Sequence, residues 1–234
     1  MKKTLSLTLI LLLTVGLFGC KKTPAEETTA ADPASNAPEY SITDGNGLDF
    51  TPVFAYSGAY VEDGSNEELS NVAAIRVKNS SDRLIRYLEL AAETDGGELH
   101  FTCTTLLPGR TALLQETSRA PFTGGETKTV RSVGETDFEE ALTLYPDTFQ
   151  LAVKGNVLTL KNVSAAPVAG EVFVYYKRAD TEGYVGGITY RVRFADLAPG
   201  ASVSRSSSNL SEKDCDILFI GCENPPAASA APTP

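Results

Sequence analysis

From about residue 48 to residue 222 the chain is a series of short apolar runs broken by Gly, Pro, Asn and Asp. Ala73, Ile75 and Val77 alternate with Ala74, Arg76 and Lys78, the period-two pattern of a strand with one face buried. Residues 84–92 predict a longer strand that ends at the turn signal Asp95-Gly96-Gly97. Residues 99–105 and 111–115 predict two more, and residues 50–60 supply another. The best helical stretch is short: Asp137-Phe138-Glu139-Glu140-Ala141-Leu142. The reading is therefore an all-β chain.

The second half repeats the plan of the first. Leu158-Thr159-Leu160-Lys161-Asn162-Val163-Ser164 echoes Ile75-Arg76-Val77-Lys78-Asn79-Ser80-Ser81 at an offset of 83, and Leu197-Ala198-Pro199-Gly200 echoes Leu106-Leu107-Pro108-Gly109 at an offset of 91. Residues around 180–187 (DTEGYVGG) absorb the difference of eight. Asn and Ser at such a turn bond their own backbone, and Pro-Gly presets one turn residue and frees the next. Two copies are too few for a solenoid, so the expected fold is two antiparallel β-sandwich units.

The N-terminus sets the location. Lys2 and Lys3 precede an apolar run over residues 5–18, shorter than the ~20 residues of a membrane span. It ends in Leu17-Phe18-Gly19-Cys20, which resembles the lipobox of bacterial lipoproteins. That resemblance implies cleavage before Cys20, lipidation of its thiol, and an extracytoplasmic, membrane-anchored product. The order of Asn-x-Ser turn, apolar strand, hairpin and Pro-Gly turn resembles immunoglobulin/fibronectin-III-like domains of Gram-positive surface lipoproteins, most of which are binding or spacer modules. The expected organisation is a signal peptide (1–19), a lipidated cysteine with a disordered tether (20–47), repeat 1 (48–118), a connecting segment (119–147), repeat 2 (148–222) and a disordered tail (223–234).

Composition narrows the function. The formal charge is −10, and losing Lys2 and Lys3 with the leader takes it to −12. No basic stripe exists to displace counterions from nucleic acid, so nucleic acid is not an expected partner. Cys103, Cys215 and Cys222 remain beside Cys20, and buried free thiols are favoured over one bridge. No C-x-x-C pair or histidine cluster suggests a metal, and no cofactor is called for. The Asp44–Asp49 and Asp63–Glu68 loops do not fit a calcium loop and read as turns. His100, the only histidine, is expected on the surface, as are the pairs Glu67/Glu68 and Glu139/Glu140. No G-x-S-x-G elbow surrounds any serine, so no catalytic residue is assigned.

The tyrosine-rich part of repeat 2 is the candidate surface. In residues 171–177, Val172, Val174 and Tyr176 share one face, and Phe173, Tyr175 and Lys177 the other. In residues 188–194, Ile188, Tyr190, Val192 and Phe194 point to the core, leaving Arg191 and Arg193 outward. Adjacent strands would join Tyr175, Lys177, Arg191 and Arg193 into a basic-aromatic patch, with Tyr184-Val185-Gly186-Gly187 as its lip. Residues 148–222 carry 8 basic and 7 acidic side chains against 5 and 11 in 48–118, so repeat 2 is the less acidic half. Tyr and Arg anchor interfaces, and aromatic faces also stack on sugars. The leading expectation is a non-enzymatic module that binds an envelope protein or a glycan; the alternative is a passive spacer or assembly subunit.

Overall fold

A computed structural model describes residues 39–225, and Cys20, the rest of the leader and tether before residue 39, and residues 226–234 lie outside the described residues. The described residues form one compact unit. It is all-β, with no helix among the described residues.

The first half holds β1 (Ile42–Thr43), β2 (Leu48–Phe50), β3 (Phe54–Tyr60), β4 (Glu67–Asn79), β5 (Ile85–Thr94), β6 (Gly97–Leu106), β7 (Thr111–Gln115) and β8 (Thr127–Asp137). β4 pairs with β2, β3 and β7 in one sheet, and β5 sits between β6 and β8 in a second. The second half holds β9 (Phe149–Lys154), β10 (Val157–Asn162), β11 (Val168–Arg178), β12 (Tyr184–Val185), β13 (Tyr190–Leu197), β14 (Ser202–Ser206) and β15 (Cys215–Cys222). Here β10 lies between β9 and β14, and β11 between β13 and β15.

The two halves have the same topology and register. Lys78 faces Thr111 and Lys161 faces Ser202; Ile85 faces Leu106 and Val168 faces Leu197. These positions match at the offsets of 83 and 91. Each half packs its two sheets face to face over its own core. Ile75, Val77, Leu88, Leu90, Phe101 and Leu114 fill the first. Leu158, Leu160, Val172, Val174, Phe194 and Ile220 fill the second. Each such side chain contributes about 1.5–3 kcal/mol on leaving water.

The repeated turn explains why Asn stands at its head. Asn79 and Asn162 are fully buried. Asn79 Nδ2 donates to the carbonyls of Arg83 (2.8 Å) and Leu106 (3.2 Å), while its Oδ1 accepts from the Ser81 amide (3.1 Å) and hydroxyl (2.6 Å). Asn162 repeats the set: Nδ2 to Ala166 O (2.8 Å) and Leu197 O (3.0 Å), Oδ1 from Ser164 N (3.0 Å) and Oγ (2.8 Å). One amide thus joins the turn after its own strand to the end of a strand in the opposite sheet. The backbone strain is also repeated. Thr105 (φ 56°) and Asp196 (φ 49°), equivalent at the offset of 91, both lie in the left-handed region, so this kink belongs to the unit.

Four expectations change. The segment 119–147 is more than a connector, because it carries β8, which pairs along β5 and completes the first sandwich. The stretch 137–142 forms no helix. Six residues are too few to offset nucleation without packing, and Phe138 instead packs edge-on against Phe219 with centroids 5.5 Å apart. The last part of the tether is structured: β1 pairs with β2, and Asp44 Oδ1 accepts from the amides of Asn46 (2.8 Å) and Leu48 (3.0 Å) to close the turn. The start of the tail is held too, as the Glu223 amide donates to Glu171 O at 2.9 Å.

Apart from the added β1 and the division of the outer strand into β2 and β3, the halves differ at one connection. In the first, β5 and β6 are joined by a tight turn at Asp95 and Gly96. In the second, residues 179–189 separate β11 from β13, and this insertion reaches across to the first half. There β12 pairs with β7, the one parallel pairing among the described strands. Tyr184 enters the first core, as does Leu218 of β15.

Candidate functional site

The insertion is fixed by a buried polar cluster. Lys177 is 0% exposed. Its Nζ donates to three successive carbonyls of the insertion: Gly187 (2.7 Å), Ile188 (3.2 Å) and Gly186 (3.4 Å). Burial pushes this ammonium below the usual lysine range. Glu62, just after β3, accepts the Gly187 amide at 2.8 and 3.0 Å and the Gln115 amide at 3.0 Å. Burial holds its carboxyl above the ordinary carboxylate range, against the pull of those amides. The Gly187 carbonyl also accepts the Thr104 amide of β6 at 2.8 Å. Only glycine fits there: a Cβ on Gly187 would stand 1.8 Å from Thr102 O.

Beside this cluster the outer face of the β13-β11-β15 sheet meets the first half, and a cleft of about 420 Å³ opens at the junction. Phe138, Tyr175 and Phe219 form its apolar wall, and Arg86 and Arg191 border it. Tyr175 stacks on its cross-strand neighbour Phe219, centroids 4.3 Å apart and planes within 11°. The Arg191 guanidinium lies 4.6 Å over the Phe173 ring, which orients it without neutralising it. Among the described residues neither Arg86 nor Arg191 forms an ion pair. Thr104 and Thr189 also line the cleft, but their hydroxyls are occupied. Thr189 Oγ1 donates to Thr104 O at 2.8 Å, and the two hydroxyls lie 2.9 Å apart.

Of the five residues expected to form a surface patch, Tyr175 and Arg191 meet here. Arg193 is exposed on the same face but is held by Glu171, with Nε 2.6 Å from Oε1. Lys177 and Tyr184 are removed from the surface. Alternation places Lys177 correctly on the face opposite the repeat-2 core, but that face is covered by the first half. Tyr184 is 1% exposed, and burial raises its phenol to about 12. The Gly187 backbone makes its close approach to β6 and Gly186 packs on Val61 of the same chain, so the pair is no lip for a ligand. Arg86, Phe138 and Phe219 escape sequence reasoning. They come from separate parts of the chain, and the one available signal, the alternation of Phe219 in residues 215–222, was not read.

The other candidates resolve simply. His100 is exposed beside Glu98 at 3.3 Å. Glu67 pairs with Arg119 at 2.6 Å, and Asp63 pairs with the same guanidinium. Cys103, Cys215 and Cys222 are unbridged, the last two standing at opposite ends of β15. Comparison of the chain with family models, curated proteins and solved structures gives no match.

Proposed function

We propose that this chain is an extracytoplasmic lipoprotein, anchored through lipid on Cys20, whose folded part is a non-enzymatic binding module with its site in the cleft between the repeats. The observation that carries the reading is the joining of Tyr175, Phe219 and Phe138 with two unpaired arginines in a concave site of an acidic protein. Clefts of this size with a mostly apolar lining and few polar groups are the usual form of binding sites. The lock around Lys177 and Gly187 holds both walls, so little ordering cost falls on binding. In the second half β9, β10 and β14 share one sheet and β11, β13 and β15 the other, and the first half matches this with β4 and β7 in one sheet and β5, β6 and β8 in the other, an arrangement that supports the likeness to immunoglobulin/fibronectin-III-like sandwiches. No further strand pairs beside β8 in the first half or beside β15 in the second, a departure from that pattern among the described residues.

The test is crosslinking of the tagged chain in cells, followed by mass spectrometry, beside a Tyr175→Ala/Arg191→Ala variant of equal abundance and Tm. Capture of one dominant protein that disappears in the variant supports the module. No difference between the two chains favours a passive spacer. Labelling with an alkynyl fatty acid tests the anchor: the label is expected on the wild-type chain and absent from Cys20→Ala.

A further inference from the structure

Resting on that reading, we infer that the cleft takes an acidic peptide segment of a protein partner, an aromatic or other large apolar side chain flanked by Asp or Glu, and not a glycan. Three observations on its lining lead there.

The charge is one-sided. Arg86 and Arg191 border the cleft, and no acidic side chain lines it. Arg86 also borders the adjoining recess with Glu139 and Glu140, but among the described residues no ion pair joins it to either. Two guanidiniums without carboxylates in one cleft can both pair with a carboxylate brought from outside. The Phe173 ring beneath Arg191 leaves the in-plane N–H edge of the guanidinium free for bidentate contact.

The aromatic wall suits a flat or apolar group. The edge-on Phe138 and the stacked Tyr175–Phe219 pair are half-buried, and they offer apolar area in the cleft that the two arginines border.

A neutral glycan finds fewer partners. Sugar hydroxyls need acceptors as well as donors, yet no Asp, Glu, Asn or Gln lines the cleft. The Thr104 and Thr189 hydroxyls are already engaged with each other and with backbone. That leaves the Thr105 and Tyr175 hydroxyls to accept from a sugar, whereas both arginines favour a carboxylate.

The experiment uses the full chain in detergent and three probes: a blocked glutamate–tryptophan–glutamate tripeptide, its glutamine–tryptophan–glutamine isostere, and chitotriose. The protein contains no Trp, so fluorescence excited at about 295 nm reports the peptide alone; chitotriose is followed by calorimetry. The acidic peptide is expected to bind about tenfold tighter than its isostere at low salt, with the gap closing as salt screens the arginines. Arg86→Gln/Arg191→Gln should level the two peptides, and Tyr175→Ala should weaken both; melting curves show that each variant is folded. Equal binding of both peptides, or binding of chitotriose alone, overturns the acidic-peptide inference and leaves the cleft as a site. Binding of the acidic peptide that survives both variants places it elsewhere and overturns the inference. Silence of all three probes also overturns it; the cleft reading itself falls only if the crosslinking difference is absent too.

Discussion

Asn162→Asp replaces one buried nitrogen by oxygen and nothing else. In the folded protein that atom lies 2.8 Å from Ala166 O and 3.0 Å from Leu197 O, fully removed from water. A carboxylate oxygen facing two carbonyls is repelled by both, so the folded state must protonate the new side chain. Its unfolded pKa is about 3.9, and holding the proton at pH 7 costs about 4 kcal/mol. The protonated acid has one hydrogen for two carbonyls, which adds about 1 kcal/mol for the one left out. The loss relative to wild type is therefore about 5 kcal/mol at pH 7 and about 2 kcal/mol at pH 4.5. The sign follows from linkage. A raised folded pKa means that the folded state binds the extra proton, so its stability is present below about pH 3.9 and is lost as pH rises toward the folded value. Urea denaturation followed by circular dichroism at both pH values measures the gap. Asn79→Asp should behave alike, because its hydrogen-bond set is the same. A gap under about 1 kcal/mol, or one that is equal at both pH values, would refute the role assigned to this amide.

Tyr184 Oη is buried and has no hydrogen-bond partner among the described residues, so Tyr184→Phe should raise stability by about 1 kcal/mol and remove one phenol titrating at about 12 from the alkaline spectrum. Glu62 has its folded pKa raised by burial. The stability it contributes is complete below the unfolded value of about 4.3 and is lost as pH rises through the folded one; the wild type should therefore lose stability against Glu62→Gln over that window in paired denaturation curves.

The duplication was legible because its markers are chemically demanding. Asn79 and Asn162 must each bond four groups, and Pro108-Gly109 and Pro199-Gly200 must each turn the chain, so both survive as readable words. Face assignment was legible as well: Val172, Val174 and Tyr176 do fill the second core. What covers the opposite face was not. Alternation says that Lys177 points away from Tyr176, but only the docking of the insertion on the first half turns that direction into burial. β8 was hidden for another reason. Its residues 127–137 are polar, with Val130 as their one buried side chain, because it closes the first sandwich at an edge. The cleft was half legible, Tyr175 and Arg191 being read and Arg86, Phe138 and Phe219 not, since long-range packing alone brings those elements together.

The asymmetry between two otherwise matching halves carries the functional argument. A tight turn joins β5 to β6, whereas the equivalent connection in the second half spans residues 179–189 and forms the lock. The cleft draws Arg86 and Phe138 from the first half and Tyr175, Arg191 and Phe219 from the second, so neither half contains it alone. The insertion that carries the Thr189 wall is fixed where Gly187 meets β6, through the contact with Thr102 and the bonds to Thr104, Glu62 and Lys177. Gly187→Ala puts a Cβ where only 1.8 Å is free, against backbone that cannot rotate away. The insertion must lift, at a cost of about 3 kcal/mol or more from lost buried hydrogen bonds and backbone strain. Because Gly187 does not line the cleft, a fixed-wall site and a loosely joined pair of modules give opposite results. With fixed walls, Gly187→Ala lowers Tm, opens residues 180–189 to protease, and weakens the acidic tripeptide as much as Tyr175→Ala does. If the variant shows the proteolytic opening yet binds the peptide unchanged, the lock does not shape the site.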